Sequence, residues 1–436
     1  MSAGDDKRTT VGAKLRANAA RDRWAPGTDG LVERTGAGGR LRGCSDAVRR
    51  HGLEPWLGAA FAVARKPEPA EGMRRFLKAA ATVASLAATV LCLAQPLAGP
   101  KWTVTTTPPA EPLIPVPARV VIVATFEAGR DTGDRPGELQ EWLEGEHLTQ
   151  AVDVPGVRRL LYTDGHGLFA MVCGSREEAA LGLMTFGLNP GFDLTHAYWL
   201  VAGIADVNPM AASLGSAVWV HYVVNGDVAY ELDSRDAPPD WPYGIVPLIP
   251  SDRADRPAPT LRDPTGMVYE LNPRLVAWAC GVSRRDAVLR DNAHYRHYRS
   301  AYVGYPKAMG PPAVLEGASL GSVRYWHGPT LNRWATDWTN YWTNGRASFV
   351  VSDPEDHLIC GALAKLATLG RADFRRVMIL RTGAEYTLAP HGRRRTKKFE
   401  ERFPGDLLAY DNAFRAGAPV VREIVDHWDR YDAEPP

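Results

Sequence analysis

Two carboxylates, Glu355 and Asp356, stand directly after an apolar run with the sequence SFVVSDP. A carboxylate has two acceptor oxygens and so accepts hydrogen bonds from two adjacent hydroxyls at once. Glu355 is therefore a candidate to anchor the paired hydroxyls of a sugar, with Asp356 beside it. A helical pattern begins at Leu358, however, and the helix dipole favours an acid at that place for structural reasons alone. The residues by themselves leave both roles of Glu355 open.

Three ring side chains, Tyr325, Trp326 and His327, end another segment that the pattern predicts as a strand. Their faces suit stacking on a planar base, and their polar edges suit hydrogen bonding to it. A single histidine beside two aromatic residues is also common as a satisfied structural residue. The three rings are candidates for contact with a ligand on these terms.

The run HAYWLVAGIA, at 196–205, is almost continuous in apolar and aromatic residues. Such a run predicts a strand buried on both faces, and its Gly203 lets the backbone approach another chain or a ligand closely. A turn of small residues follows, up to Ser216. The strand end is a candidate binding place, although an ordinary core strand and turn would have the same pattern.

The elements that must position these side chains follow from periodicity. Strands are predicted at 120–126, 168–172, 197–205, 216–224, 322–326, 348–351 and 376–381. Apolar positions in 358–369 recur every three to four residues and predict a helix. A final helix is predicted to be capped by Asp411, with Val421, Val425 and Trp428 as its apolar stripe. Strands that alternate with helices predict an α/β fold whose sheet is covered on both faces.

A second aromatic series, Trp334, Trp338 and Trp342, recurs every four residues on a predicted helix. This spacing favours a stripe that faces the core, with a base-stacking platform as the alternative.

Several segments, in one order, resemble the purine nucleoside permease family, an offshoot of the nucleoside phosphorylase fold. The matching segments are FDLTHAYWLVAGIADVNPMAASLGS at 192–216, YELDSRDAPPDWPYG at 230–244, YELNPRL at 269–275, YWHG at 325–328, the Glu355-Asp356 pair, MILRT at 378–382 and DNAFRAGAPVVREIVDHW at 411–428. The resemblance covers roughly residues 117–428. It implies a three-layer nucleoside phosphorylase-like fold with a mixed central sheet, and a purine nucleoside as the ligand.

The resemblance also implies roles for single residues. Glu355 would hold the ribose hydroxyls, and Arg381 of the MILRT strand belongs with the ligand-binding residues. Soon after that strand, relatives of this fold place an acidic or amide side chain on the purine, and this chain has Ala384-Glu385 where the family has Ser-Asn. Desolvation would raise the pKa of Glu385 and let it protonate the base as a general acid. The alternative is an exposed Glu385 in a pocket that has lost its function.

Two departures from the family pattern bear on catalysis. The position of a water-activating glutamate after the first strand is Gly129 here, so that only Glu127 is near enough to substitute. The loop at 172–176, with the sequence VCGSR, has one glycine where two are expected. Loops that hold phosphate through backbone N–H groups depend on glycine, so hydrolysis is better supported than phosphorolysis.

Composition excludes several classes of partner and cofactor. The 436 residues carry a formal net charge of +1, too small for general attraction to nucleic acid or acidic membranes. Cys173, Cys280 and Cys360 are too widely separated to form a disulfide framework or a metal site. We expect no metal, no cofactor and no nucleic-acid partner.

The N-terminal part divides into three segments before a domain at 117–434. Residues 1–72 are a disordered extension or result from a mispredicted start, 73–99 have the basic, apolar and small-residue regions of a signal peptide, and 100–116 form a proline-rich linker. The mature protein would then begin near Gln95 or Pro100 and be exported, to the periplasm or outside the cell. The alternative is a membrane anchor at 79–98.

The function expected from these observations is an exported purine nucleoside-binding protein that hydrolyses the N-glycosidic bond. A single apolar segment cannot form a transmembrane pathway, so any part in uptake is indirect. The alternative is a binding protein without catalysis that delivers nucleoside to a membrane transporter. A third hypothesis is a diverged fold that binds another ligand. The sequence does not specify an oligomeric state.

Overall fold

The computed structural model describes residues 114–237, 239, 241–247, 266–392 and 406–436. The extension at 1–72, the predicted signal segment at 73–99 and the linker up to residue 113 lie outside these residues. The described residues fall within one compact unit, Thr107–Pro436.

Fourteen strands and nine α-helices are found in the described part of the chain. The strands are β1 (Val116–Pro117), β2 (Val120–Ala124), β3 (Gln150–Val152), β4 (Leu161–Thr163), β5 (Leu168–Val172), β6 (Phe192–Asp193), β7 (Tyr198–Val207), β8 (Ala217–Asn225), β9 (Ala229–Glu231), β10 (Ile245–Pro247), β11 (Val268–Glu270), β12 (Val314–Gly321), β13 (Phe349–Asp353) and β14 (Val377–Tyr386). The helices are α1 (Gln140–Gly145), α2 (Glu177–Gly187), α3 (Pro273–Asp286), α4 (Ala293–Ser300), α5 (Pro306–Met309), α6 (Pro329–Thr343), α7 (Asp356–Thr368), α8 (Asp406–Asp426) and α9 (Trp428–Tyr431). A 3-10 helix at Phe374–Arg376 leads into β14.

The central sheet has ten strands and is mixed. Its order is β11-β8-β12-β13-β7-β2-β5-β4-β3, and β14 pairs with both β7 and β8. Strand β14 pairs in parallel with β7 and antiparallel with β8. This double pairing closes a ring of five strands, in the order β7, β14, β8, β12 and β13. The remaining strands extend the sheet from the outer edges of β7 and β8.

Helices cover the sheet on both faces, as two neighbouring side chains of β14 demonstrate. The Arg381 Nε donates a hydrogen bond to Asp356 in α7, over 3.0 Å. The next residue, Thr382, donates from Oγ1 to the Ala409 carbonyl of α8, over 2.7 Å. Successive side chains of a strand point to opposite faces, so α7 and α8 lie on opposite sides of the sheet. The predicted three-layer α/β fold with a mixed central sheet is confirmed.

The predicted strand at 322–326 is wrong. The strand in this region is β12, which ends at Gly321, and residues 322–328 form neither helix nor strand. The Ser322 N–H still donates to the Asp353 carbonyl, at 3.0 Å, but the Val323 N–H donates to the side chain of Asp227, at 2.7 Å, and the pairing ends there. We call residues 322–328 the aromatic loop.

The prediction that Asp411 caps the last helix is also wrong. Helix α8 begins at Asp406, so Asp411 lies inside it and pairs with Arg415 one turn later, at 2.8 Å. The predicted apolar stripe does pack on the core, with Val421 fully buried and Val425 and Trp428 partly buried against it.

The tryptophan series on α6 faces the core, as its spacing predicts. Trp334 and Trp338 are fully buried, and Trp342 packs partly buried against the same cluster. Each such ring contributes roughly 1.5–3 kcal/mol or more on burial. Among the helices in the described ranges, none is long and apolar enough to cross a membrane.

Candidate functional site

A pocket of about 260 Å³ opens where several strands end. Its walls come from the segments that follow β2, β5, β12 and β13, together with the last residues of β7. Ligands of α/β sheets bind at such carboxyl ends. The lining joins the aromatic rings Phe126, Tyr325 and Trp326 to the acids Glu138, Asp206, Asp353 and Glu355.

Glu355 faces the pocket and is only 4% exposed. It stands at the N-terminus of α7 but makes no capping hydrogen bond there, because Asp353 Oδ1 accepts the Glu355 and Asp356 N–H groups, at 2.7 and 2.9 Å. Glu355 Oε1 accepts instead the backbone N–H of Arg176, at 2.9 Å. Within the described residues this bond occupies only Oε1, which leaves Oε2 to accept from a ligand.

Arg381 and Asp356 lie behind the pocket and do not line it. Arg381 is completely buried, and its Nη2 donates to Asp356 Oδ1 at 2.8 Å and to Asp353 Oδ1 at 2.9 Å. Its Nη1 is 3.7 Å from Glu138 Oε1. Asp356 Oδ2 also accepts the Ser319 hydroxyl, at 2.6 Å. The two predicted ligand-binding residues therefore hold the acidic wall in place.

Two acids of this wall, Asp353 and Glu355, ionise with difficulty. Burial raises the pKa of Asp353 well above its ordinary value, and the charges of Asp356 and Glu355 add to this effect against the opposing charge of Arg381. Burial likewise raises the pKa of Glu355, opposed by Arg381 and by the bond from Arg176. Perturbed carboxyl groups of this kind are typical of catalytic and binding sites.

Gly203 makes the close approach that its sequence context predicts, and its neighbours are side chains of the protein. A Cβ at this position would stand 2.1 Å from Glu138 Oε1 and 2.6 Å from Arg381 Nη1. Gly203 itself does not line the pocket. Its lack of a side chain makes room for the Glu138 carboxylate beside β7.

Glu138 is a pocket residue that the sequence analysis does not identify. Its Oε2 accepts the Thr125 N–H and hydroxyl, both at 2.7 Å, and its Oε1 accepts the Ile204 N–H at 2.8 Å. A loop separates it from β2, and this loop folds back so that the Glu138 N–H reaches the Phe126 carbonyl. No sequence signal marks it, since it lies in the mixed segment GELQEW after a turn-rich stretch.

Glu127, the predicted substitute for the missing acid, does not line the pocket. Its carboxylate accepts the N–H groups of Ala128, Gly137, Leu139 and Gln140, at the start of α1. Burial raises its pKa despite these four hydrogen bonds. This carboxylate fixes the loop that carries Glu138.

The three predicted rings divide between two cavities. Tyr325 and Trp326 line the pocket, and both also line a neighbouring cavity of about 510 Å³ that contains His327. Tyr325 is 64% exposed, and the Arg176 guanidinium lies over its ring at 5.5 Å from the centroid. These rings form the outer wall, where a planar group would stack.

Glu385 is buried, with 6% of its surface exposed, and does not belong to the pocket lining. It follows a bulge in β14 and pairs with Asp206 of β7, which does line the pocket. Glu385 is therefore one strand away from the cavity. Over the described ranges, no group of three His, Cys, Asp or Glu side chains has the arrangement of a metal site.

Comparison with known proteins gives matches to one family. The family model described as purine nucleoside permease (NUP) matches residues 117–436. A purine nucleoside permease of Candida albicans is 28% identical over 303 residues, which cover 67% of this chain and 73% of the relative. A Schizosaccharomyces pombe protein, named as a probable purine nucleoside permease, is 29% identical over 259 residues, which cover 58% of this chain and 74% of the relative.

Solved structures match more weakly. The 5′-methylthioadenosine/S-adenosylhomocysteine nucleosidase of Neisseria meningitidis has a TM-score of 0.42 and 13% identity, covering 70% of this chain and 99% of that chain. Futalosine hydrolase of Helicobacter pylori has a TM-score of 0.42 and 14% identity, covering 71% of this chain and 97% of that chain.

Proposed function

Because the chain belongs to the purine nucleoside permease family, we propose that its pocket binds a purine nucleoside. The observation that carries this proposal is the pairing, in one cavity, of the buried carboxylate Glu355 with the rings of Phe126, Tyr325 and Trp326. A nucleoside can use the carboxylate and the rings together, since its sugar hydroxyls donate to a carboxylate and its base stacks on aromatic faces.

We further propose that the pocket hydrolyses the N-glycosidic bond. Cleavage places positive charge on the sugar ring. The carboxylates of Glu138, Glu355 and Asp356 outnumber the single buried cation Arg381 even when Asp353 is protonated, so the wall would stabilise that charge. Water would attack the anomeric carbon as the bond to the base breaks, with Glu138 taking the proton of the water and the departing base receiving a proton.

The proton for the base must come from a carboxyl that is still protonated when the reaction occurs. Asp353 meets this condition, since it lines the pocket and its pKa is raised by burial. Glu385, the candidate from the sequence, neighbours the pocket through Asp206. Asp353 is the acid in this proposal, and Glu385 is the alternative that the same experiments test.

Hydrolysis is favoured over phosphorolysis by the environment of α2. Phosphate commonly binds the free N–H groups at a helix N-terminus. The N–H of Arg176, which precedes α2, already donates to Glu355. A phosphate placed there would displace this carboxylate and meet the repulsion of the acidic wall.

Binding without catalysis is the second candidate. Both oxygens of Glu138 and Oδ1 of Asp353 already accept hydrogen bonds from the protein. Carboxylates engaged in this way are held in place, which suits recognition as well as proton transfer. A binding protein of this kind would deliver nucleoside to a membrane transporter.

One experiment separates these functions. The full chain is incubated with inosine, adenosine and guanosine, with and without phosphate, and free base and sugar products are separated by chromatography while calorimetry measures binding. We expect free base and ribose without phosphate. Binding without release of base supports the second candidate, and the absence of binding overturns the proposal.

Export also belongs to the proposal, because residues 73–99 have the three regions of a signal peptide. The mature protein is expected to begin near Gln95 or Pro100, outside the cytoplasm. N-terminal sequencing of the native protein tests this. Residues 1–72 on the mature chain would contradict it.

A further inference from the structure

The aromatic loop supplies much of the pocket without a regular secondary structure of its own. Four of its residues, Ser322, Arg324, Tyr325 and Trp326, line the pocket. Backbone hydrogen bonds tie its two ends to the Asp353 and Thr387 carbonyls, at 3.0 and 2.9 Å, and the Trp326 ring packs against Trp334 and Phe349. The residues that lead from Gly321 to the two rings depend on side-chain contacts as well.

Asp227, in the turn after β8, makes side-chain contacts with the first three residues of the loop. Its Oδ1 accepts the Ser322 hydroxyl at 2.6 Å, and its Oδ2 accepts the Val323 N–H at 2.7 Å. The Arg324 Nε is 3.4 Å from Oδ1, and the Arg324 Nη2 donates to the Gly226 carbonyl at 3.0 Å. One side chain thus holds three consecutive residues of the loop.

The same carboxylate reaches the opposite, acidic side of the pocket. Its Oδ2 lies 3.4 Å from Nε2 of His357, which is buried in the first turn of α7. Glu355 is two residues before this histidine. Gly321 leaves space for the ring, since a Cβ there would stand 2.5 Å from His357 Nδ1. Asp227 therefore links the aromatic loop to the helix terminus that carries the proposed ribose anchor.

Asp227 is charged throughout the physiological range. Burial raises its pKa, but hydrogen bonds from His357, Ser322 and Val323 outweigh burial and bring the pKa to about 2. An ionised carboxylate only accepts hydrogen bonds, so His357 carries the hydrogen on Nε2. Asp227 lines neither cavity.

We propose that Asp227 is a positioning residue that fixes the aromatic loop relative to the start of α7, and thereby sets the affinity of the pocket for a nucleoside it does not contact. This inference rests on the proposed nucleoside binding. It adds that recognition depends on the distance between the aromatic wall, with Tyr325 and Trp326, and the acidic wall, with Glu355.

The first test measures affinity and loop exchange in Asp227→Asn. The amide keeps the shape but turns a donor toward groups that are themselves donors, so the loop should detach. We expect inosine and free hypoxanthine both to bind at least about tenfold more weakly, the usual effect of losing charge-assisted hydrogen bonds. Hydrogen–deuterium exchange should increase in residues 322–328 and stay unchanged in the sheet.

The matched control is Asp236→Asn. Asp236 is an exposed acid that follows β9 and lines neither cavity, so this variant should bind and exchange like the wild type. Asp227→Glu keeps the charge and should recover part of the affinity, which loss of stability alone would not explain.

A double-mutant cycle with Glu355→Gln separates positioning from general destabilisation. Asp227 and Glu355 make no direct contact, so independent effects on inosine affinity would add. If Asp227 aligns the two walls, the Glu355→Gln effect should shrink in the Asp227→Asn background. Additive effects would overturn the inference.

The outcomes distinguish the two levels of the proposal. A wild type that does not bind nucleosides overturns the proposed function. A wild type that binds, with Asp227→Asn equal to it in affinity and loop exchange, overturns the positioning role alone. If Asp227→Asn does not fold, Ser322→Ala removes a single bond to Asp227, and unchanged exchange in the loop of that variant overturns the role.

Discussion

A buried carboxylate is stable only when donors or positive charge compensate for the lost hydration. This protein gathers Glu138, Asp353, Glu355 and Asp356 around one buried guanidinium, that of Arg381. The backbone donors that each acid receives are therefore as necessary as the arginine. At the residue scale, the site is an acidic wall that a positively charged sugar would stabilise further.

Glu355→Gln should weaken nucleoside binding by about 1 to 3 kcal/mol, because it removes the charge from the hydrogen bonds to the sugar hydroxyls. The amide oxygen can still accept the Arg176 N–H, so the fold should persist. Calorimetry with a nucleoside and with its free base measures the effect, which should be confined to the nucleoside. Glu177→Gln, an exposed change on α2, is the control. Equal nucleoside affinities would return Glu355 to the role of a helix-terminus acid.

Asp353→Asn and Glu385→Gln identify the general acid. We expect Asp353→Asn to reduce turnover on the order of 100-fold or more, and Glu385→Gln to retain most of it. Wild-type turnover should fall as pH rises through the raised pKa of Asp353, since the acid must be protonated to act. Initial rates of base release across pH test both statements. The reverse ranking of the two variants would assign the acid to Glu385.

At the element scale, periodicity predicts most of the sheet because buried strands have continuous apolar runs. The runs at 168–172 and 197–205 correspond to β5 and β7. Strand β12, with the sequence VLEGASLG, lacks such a run because Gly317 and Gly321 sit against neighbouring side chains where no Cβ would fit. The apolar pattern of a buried strand is therefore interrupted in β12, and the reason, close packing of neighbouring side chains, is visible only in the tertiary structure.

The same limit applies to the site. Glu355 can be found from the sequence because it closely follows an apolar run, and Tyr325 and Trp326 because they belong to the family segment YWHG. Glu138 cannot, because it reaches the pocket only after its loop returns to β2, and this return depends on Glu127. Asp227 cannot either, since its partners lie about a hundred residues away.

In the turn before α2, an arginine has a backbone conformation that is typical of glycine. Arg176 has φ of 56° and ψ of −133°. The VCGSR loop has a single glycine, Gly174, where the family resemblance implies two. Backbone strain of this kind typically costs about 1 to 3 kcal/mol, and it is concentrated at functional sites.

Arg176→Gly should therefore be more stable than Arg176→Ala by roughly 1 kcal/mol. Both variants lose the contact with the Tyr325 ring, so their difference isolates the backbone. Urea unfolding of the two variants measures it. Equal stabilities would mean that residue 176 is not strained in solution.

At the scale of the whole molecule, the pocket is assembled from segments between Thr125 and Glu355 that the folded sheet brings together. Its electrostatics therefore contribute to the stability of the fold. Groups whose pKa is raised on folding and groups whose pKa is lowered change the free energy of unfolding with pH in opposite directions. The balance between them makes stability depend on pH in a direction that can be worked out.

For Asp353 and Glu355, folding raises the pKa above the ordinary values of 3.8 and 4.5. The folded state then holds more protons than the unfolded state as pH rises from those values, so the free energy of unfolding falls through this window. For Asp227, folding lowers the pKa from 3.8 to about 2, so its contribution is present above 3.8 and is lost as pH falls toward 2. The combined contribution of these three groups to stability should accordingly be greatest in mildly acid solution.

Two variants divide this profile into its parts. Relative to the wild type, Glu355→Gln should gain stability as pH rises above 4.5, because it no longer has a buried group to ionise. Asp227→Asn should be destabilised by a constant amount at neutral pH, and this difference should diminish as pH falls below 3.8. Urea unfolding of the three proteins, over as wide a pH range as the wild type tolerates, measures both differences. Parallel profiles for Glu355→Gln and the wild type would mean that Glu355 ionises in the pocket as easily as in water, and its proposed place in a desolvated acidic wall would then have to be abandoned.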